Sequence, residues 1–184
     1  MVDPLIPSRE DCVVGPLLER WARERPDKNF LEFDDGSSWS FAEMLQRTRR
    51  AAAGLQQLGV ERGSHVLCWM PNSAEAVLSW FAANYLGAVF VPLNTAYRGS
   101  LLRNAVDLSD AEILVAHASL LSRLEAADIA CLRDVIVVGG EVPADDHLRY
   151  HPASILSDTD AAGLIEPDSP VQPWDINFII FTSG

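Results

Sequence analysis

The sequence predicts an α/β fold, a mainly parallel sheet with helices on both faces. Three observations carry that expectation. Segments of helical period alternate with short apolar runs along the chain. The runs are apolar throughout instead of alternating with polar residues, the pattern of strands buried on both faces. Helices open on capping residues and close on glycines, so their limits are written locally.

The elements follow in order. Val14, Leu17, Leu18 and Trp21 fall at helical spacing, and Pro26 ends that helix. Residues 30–33 read as a strand, with Asp34, Asp35 and Gly36 as the turn after it. Ser40 and Glu43 form a capping box, each side chain answering the other's backbone N–H, and Trp39 and Met44 are placed for a hydrophobic staple. The helix they open shows Phe41, Met44, Leu45, Thr48, Ala51, Ala52, Leu55 and Leu58 on one face. Gly59 is its left-handed cap, and Arg47, Arg49, Arg50, Gln56 and Gln57 are expected in water.

Residues 65–70 read as a strand. Asn72 and Glu75 repeat the capping-box form, with Asn72 as cap, before a helix whose apolar groups run nearly all round (Ala74, Val77, Leu78, Phe81, Tyr85). Such a helix is covered on several sides. Gly87 stops it, and residues 88–93 form the next strand. Leu101, Leu102, Ala105, Val106 and Leu108 predict a helix, residues 113–116 a strand, Leu120, Leu121 and Leu124 a short helix, and residues 135–138 another strand. Residues 139–175 change character, with five prolines and eight acidic residues, and are expected as a surface crossing. Residues 176–181 have a buried-strand pattern and lead into Thr182, Ser183 and Gly184. The division expected is an α/β subdomain over 1–138, a Pro- and acid-rich crossing over 139–175, and a strand with the start of a loop over 176–184.

The totals narrow the function. The chain has 184 residues and a formal charge of −12, which argues against general nucleic-acid binding, because phosphate backbones need clustered Lys and Arg. A nucleotide pocket remains open, since backbone N–H groups and one or two cations suffice there. Cys12, Cys68 and Cys131 are odd in number and widely spaced, which reads as reduced thiols of a cytoplasmic protein. Residues 76–97 carry no charge, but Gly87 and Pro92 interrupt them, so a buried helix, a stop and a strand explain them better than a membrane span. His147 and His151 have ligand spacing with no third ligand nearby and read as solvated loop residues. The acid pairs Glu10/Asp11, Asp34/Asp35 and Asp145/Asp146 read as solvated turn residues. Trp69, Trp80 and Phe81 read as core, lacking the basic neighbours of a base-stacking platform. Gly139-Gly140 follows a strand without the third glycine of a dinucleotide fingerprint.

A strand followed by Thr182, Ser183 and Gly184 has the composition of a phosphate cradle: Gly lets the backbone approach, and hydroxyl and N–H groups donate to phosphate oxygens. Trp39-Ser40-Phe41-Ala42-Glu43-Met44, Gly59-Val60-Glu61-Arg62-Gly63, Met70-Pro71-Asn72-Ser73, Leu86-Gly87-Ala88-Val89-Phe90-Val91-Pro92-Leu93-Asn94 and Phe178-Ile179-Ile180-Phe181-Thr182-Ser183-Gly184 come in an order and spacing that resembles the adenylate-forming (AMP-binding) superfamily over about residues 13–184. Ser40-Phe41 departs from the Thr-Tyr pair common there but keeps a capping hydroxyl and an aromatic. Leu86 to Asn94 resembles the acyl-CoA synthetase branch, in its medium-chain, carnitine or aryl acid flavour, more than the adenylation domains of peptide synthetases.

The resemblance implies a fold, the N-terminal portion of the large domain of an acyl-CoA-synthetase-like enzyme. It also implies an activity. A small carboxylic acid attacks the α-phosphate of ATP, Mg2+ neutralises the phosphates, and coenzyme A takes the acyl group from the adenylate. Thr182, Ser183 and Gly184 would open the phosphate loop. The loop lysine, the acyl pocket and the catalytic lysine match nothing up to Gly184, so the 184-residue chain is expected to be inactive alone. The alternatives are a non-catalytic binding or assembly module derived from such an enzyme, or a fragment of a peptide-synthetase-type adenylation domain. Either way the last strand is expected to leave a sheet edge open and to cause self-association.

Overall fold

A computed structural model describes residues 5–127, 129–144, 147–165, 167 and 169–182. Two short helices begin it, α1 (Arg9–Cys12) and α2 (Val14–Glu24). An antiparallel pair follows, β1 (Asn29–Glu32) and β2 (Ser38–Ser40). The long helix α3 (Phe41–Gln57) starts on the capping box as expected: Glu43 N–H donates to Ser40 Oγ at 3.2 Å, and Ser40 N–H donates to Glu43 Oε2 at 2.8 Å. Trp39 packs edge-on against Phe33 and lies under the Arg47 guanidinium at 4.5 Å.

The rest of the chain alternates strand and helix: β3 (His65–Trp69), α4 (Ala74–Tyr85), β4 (Val89–Pro92), α5 (Gly99–Ser109), β5 (Ile113–His117), α6 (Leu121–Glu125), β6 (Asp134–Val138) and β7 (Arg149–Pro152). Five strands pair in the order β4-β3-β5-β6-β7, every pair parallel. Successive side chains of a strand point to opposite faces, and each face has its own core. Val66 and Cys68 meet Ala51, Leu55, Leu78, Ala82 and Leu86 of α3, α4 and the turn after it. Leu67 and Trp69 meet Leu102, Ala105, Val106, Leu121 and Leu124 of α5 and α6. The sheet with helices on both faces is the predicted fold.

The uncharged stretch 76–97 divides into α4, the turn at Gly87 and β4. No described helix is long and apolar enough to cross a membrane. Gly87 is required twice over. Its φ is +74°, and a Cβ there would lie 2.8 Å from Val171 Cγ2 and 3.0 Å from Arg62 Cγ.

Several expectations are corrected. The cap of α4 is Ser73, whose Oγ accepts from Ala76 N–H at 3.2 Å; Asn72 stands one residue too early. Leu101 and Leu108 are exposed, because the buried face of α5 is Leu102, Ala105, Val106 and Ser109. Gln56 is half-buried and grips the Ile165 backbone, donating to its carbonyl at 2.8 Å and accepting from its N–H at 2.9 Å. Within residues 139–175, expected as a surface crossing, Arg149–Pro152 join the sheet as β7, and a 3-10 turn, Ala153–Leu156, drops Leu156 into the core beside α3. Of the acid pairs, Asp145 and Asp146 lie outside the described residues.

Candidate functional site

In parallel sheets ligands bind beyond the carboxyl ends of the strands. Residues 176–182 run toward that end. Phe178 makes a parallel bridge with Phe90 of β4: Phe90 N–H donates to Asn177 O at 3.0 Å, and Ile179 N–H donates to Phe90 O at 3.1 Å. Phe178 fills an aromatic seat between Trp80 (ring centroids 5.0 Å) and Phe90 (5.7 Å). The segment is thus a single bridge on the outer edge of β4, where a long buried strand was expected. Ile176 and Ile180 are 65% and 67% exposed. Thr182 is exposed beyond the bridge; Ser183 and Gly184 lie outside the described residues.

Side chains from elsewhere in the chain fix the approach to this strand. Arg62 binds Asp175 Oδ2 at 2.6 Å and also donates to Ser169 Oγ, while Gln172 N–H donates to the same Asp175 oxygen at 2.9 Å. Partial burial works against the Asp175 charge, but the Gln172 N–H and the Arg62 guanidinium outweigh it and hold the carboxyl below its ordinary range. Arg9 Nε donates to Val171 O at 2.9 Å. Asn84, buried in α4, donates to Asn177 O at 3.1 Å. The adjacent loop after β4 is held the same way, with Trp69 Nε1 donating to Asn94 O at 3.1 Å and Arg123 to Thr95 O at 2.8 Å.

A second polar cluster lies at the opposite end of the sheet. Asp134 opens β6 fully buried, and accepts from Arg133 Nε and Arg149 Nη2, both at 2.7 Å, and meets His151 Nε2 at 2.7 Å. Burial raises its pKa, but the bonds from Arg133, His151 and Arg149 together hold it below the usual carboxylate range. His151, expected as a solvated loop residue, is thus a strand residue paired with a buried acid. The cluster sits at the amino ends of β6 and β7, away from the end toward which residues 176–182 run. Among the described residues no group of three His, Cys, Asp or Glu could hold a metal ion.

The sequence pattern marked Thr182 but missed Asn84, Arg62 and Asp175. Asn84 had a weak signal, an amide inside a helix otherwise apolar on nearly all sides, which must find hydrogen-bond partners.

The sequence and the fold are both similar to those of known proteins. A 2-succinylbenzoate–CoA ligase of Oceanobacillus iheyensis is 32% identical over 138 residues, covering 70% of this chain and 29% of that protein. Tyrocidine synthase 2 of Brevibacillus parabrevis is 28% identical over 176 residues, covering 96% of this chain and 4% of that protein. The crystal structure of the anthranilate CoA ligase AuaEII in complex with anthranoyl-AMP superposes with a TM-score of 0.80 at 23% identity, over 99% of this chain and 33% of that one. The chain thus spans about a third of the length of the CoA ligases it matches. The family model for AMP-binding enzymes matches residues 18–184, nearly the whole sequence, and the chain belongs to the AMP-binding enzyme family.

Proposed function

We propose that this chain is the N-terminal part of an ATP-dependent carboxylic acid–CoA ligase. One observation carries the reading within the family: residues 177–179 pair parallel with β4, which aims Thr182 at the carboxyl end of the sheet. Thr182, Ser183 and Gly184 then open the loop that holds the ATP β- and γ-phosphates, through hydroxyl and N–H donors. Mg2+, when bound with the nucleotide, neutralises phosphate charge. The acid's carboxylate oxygen attacks the α-phosphorus and pyrophosphate leaves. The coenzyme A thiol then attacks the acyl carbon and AMP leaves with the bonding pair.

In this reading residues 1–138 are an α/β subdomain, 139–175 a crossing that lends β7 to the sheet, and 176–184 the strand and loop start. The three cysteines are free thiols, in keeping with a cytoplasmic enzyme. The 184-residue chain does not catalyse by itself, because no residue in it matches a catalytic residue of the family. The open edge at 176–181 makes it self-associate. The similarity to tyrocidine synthase 2 favours one second reading, an adenylation domain of the peptide-synthetase type.

The test is to read the source gene past the codon for Gly184. A frame continuing through small hydroxyl residues to Pro-Lys-Gly supports the ligase. A long continuation without that loop overturns it, and a stop codon turns the assignment to a non-catalytic binding or assembly module. Carboxylate-dependent ATP–pyrophosphate exchange by the pure 184-residue chain would refute its inactivity.

A further inference from the structure

We propose that Asn84 is a positioning residue for the phosphate-binding loop, through the strand that carries Thr182. For the function of that loop the proposal rests on the ligase reading; for the position of the strand it does not.

Asn84 lies in the last turn of α4 and is buried among apolar groups. Its amide is oriented without ambiguity. The Trp80 indole N–H can only donate and stands 2.7 Å from Asn84 Oδ1, so the NH2 group must face the other way. There it meets two backbone carbonyls, Ala88 O and Asn177 O, each at 3.1 Å. One hydrogen goes to the residue that leads into β4. The other goes to the strand that follows the Pro-rich segment. A single amide thus ties the residue before β4, two short of Phe90, to the residue before Phe178, next to the bridge those two phenylalanines make.

Asn177 O already accepts from Phe90 N–H, so the Asn84 bond is a second one to the same oxygen, and it selects register. If the strand slid by one residue, the carbonyl would turn to the other side, and the buried NH2 would lose its acceptor. Phe178 adds apolar area to the seat, but aromatic packing tolerates small slides that a hydrogen bond does not. Five residues on, the same strand delivers Thr182.

The decisive variant is Asn84→Asp. It keeps the shape and replaces the NH2 donor with an oxygen facing two carbonyl oxygens. In the 184-residue chain, amide exchange at Ile179 and Phe90 is expected to speed up about tenfold or more, while amides of β3 and β5 keep their protection. Unchanged protection at Ile179 overturns the proposal. So does an equal loss across β3, β5 and β6, which would make Asn84 a general core group. If Asn84→Asp does not fold, Trp80→Phe removes the donor that orients the amide; protection at Ile179 should then fall severalfold, and an unaltered value overturns the proposal. In the full-length enzyme, Asn84→Asp should lower kcat/KM for ATP about tenfold with the KM for the acid unchanged. Absence of activity in the unsubstituted enzyme would sink the ligase reading and leave the exchange result standing.

Discussion

Replacing Gly54 by alanine sets two physical effects of opposite sign against each other. Gly54 sits in the interior of α3, where propensity alone favours alanine by about 1 kcal/mol. A Cβ at this position would lie 2.0 Å from the carbonyl oxygen of Ile155 and 2.9 Å from its carbon, with Thr159 Oγ1 at 3.3 Å. An ordinary carbon–oxygen contact is about 3.3 Å or more, so the 3-10 turn would have to retreat by about 1 Å. That turn carries Leu156, which is fully buried, and its Ile155 carbonyl accepts from Thr159 Oγ1 at 2.8 Å. The obstacle is backbone and cannot rotate away. Overpacking of this kind costs roughly 1–3 kcal/mol, and loosening Leu156 adds to it. The expected net is a loss of about 1–2 kcal/mol, or a Tm lower by roughly 2–8 °C at this chain length. Urea unfolding followed by circular dichroism should show a lower midpoint at unchanged slope. A midpoint equal to or above the parent's would mean that helix propensity wins, and would refute the close docking of residues 153–156 on α3.

Three further outcomes follow from the same packing. The Asp134 carboxyl is held below its ordinary value of about 3.9, so its contribution is complete above that pH and disappears as pH falls through the lower folded value; Asp134→Asn should lose roughly 1–2 kcal/mol at pH 7, modest because Arg133 and Arg149 are largely exposed, and acid titration of stability should flatten below about pH 4. Burial pushes the Cys68 thiol up to about 12, so a thiol reagent at pH 8 should label Cys12 and spare Cys68 until the chain is unfolded; labelling of Cys68 in the native chain would contradict the packing between β3 and α4. Ile180→Lys puts a charge on the open edge beside β4, and should shift light scattering at micromolar concentration from associated toward monomeric; an unsubstituted chain that is already monomeric would refute self-association through this edge.

The fold was legible where the physics is local. Ser40 and Glu43 are three residues apart and satisfy each other, so the start of α3 could be read without any knowledge of its neighbours. The uniform apolarity of residues 65–70, 113–116 and 135–138 reflects strands covered on both sides, and all three lie in the sheet interior. The misreadings arose where position decided the outcome. β7 is an edge strand, and Arg149-Tyr150-His151-Pro152 lacks the apolar run of a central one. Its signal was the period of two that puts Arg149 and His151 on one side, where both reach Asp134. In the same way Leu101 and Leu108 fit a helical period but miss its buried face.

The candidate site was legible only at Thr182, and the reason lies in how residues 165–179 are held. Among the described residues this stretch has no helix and no named strand, only the bridge at Phe178, so it has no period to read. Its order comes from side chains that reach it from four distant places: Gln56 of α3 to Ile165, Arg62 to Asp175, Arg9 of α1 to Val171, and Asn84 of α4 to Asn177. Three of these four end on backbone carbonyls of the stretch, which any residue supplies. The receiving sequence therefore need not carry a mark, and the donors look like ordinary helix and turn residues until the fold brings them round. Under the ligase reading proposed above, a loop that holds phosphates would gain from this arrangement. Regular structure would spend its N–H and C=O groups on itself, whereas a strand held from one side by side chains keeps its far end free to donate to a ligand.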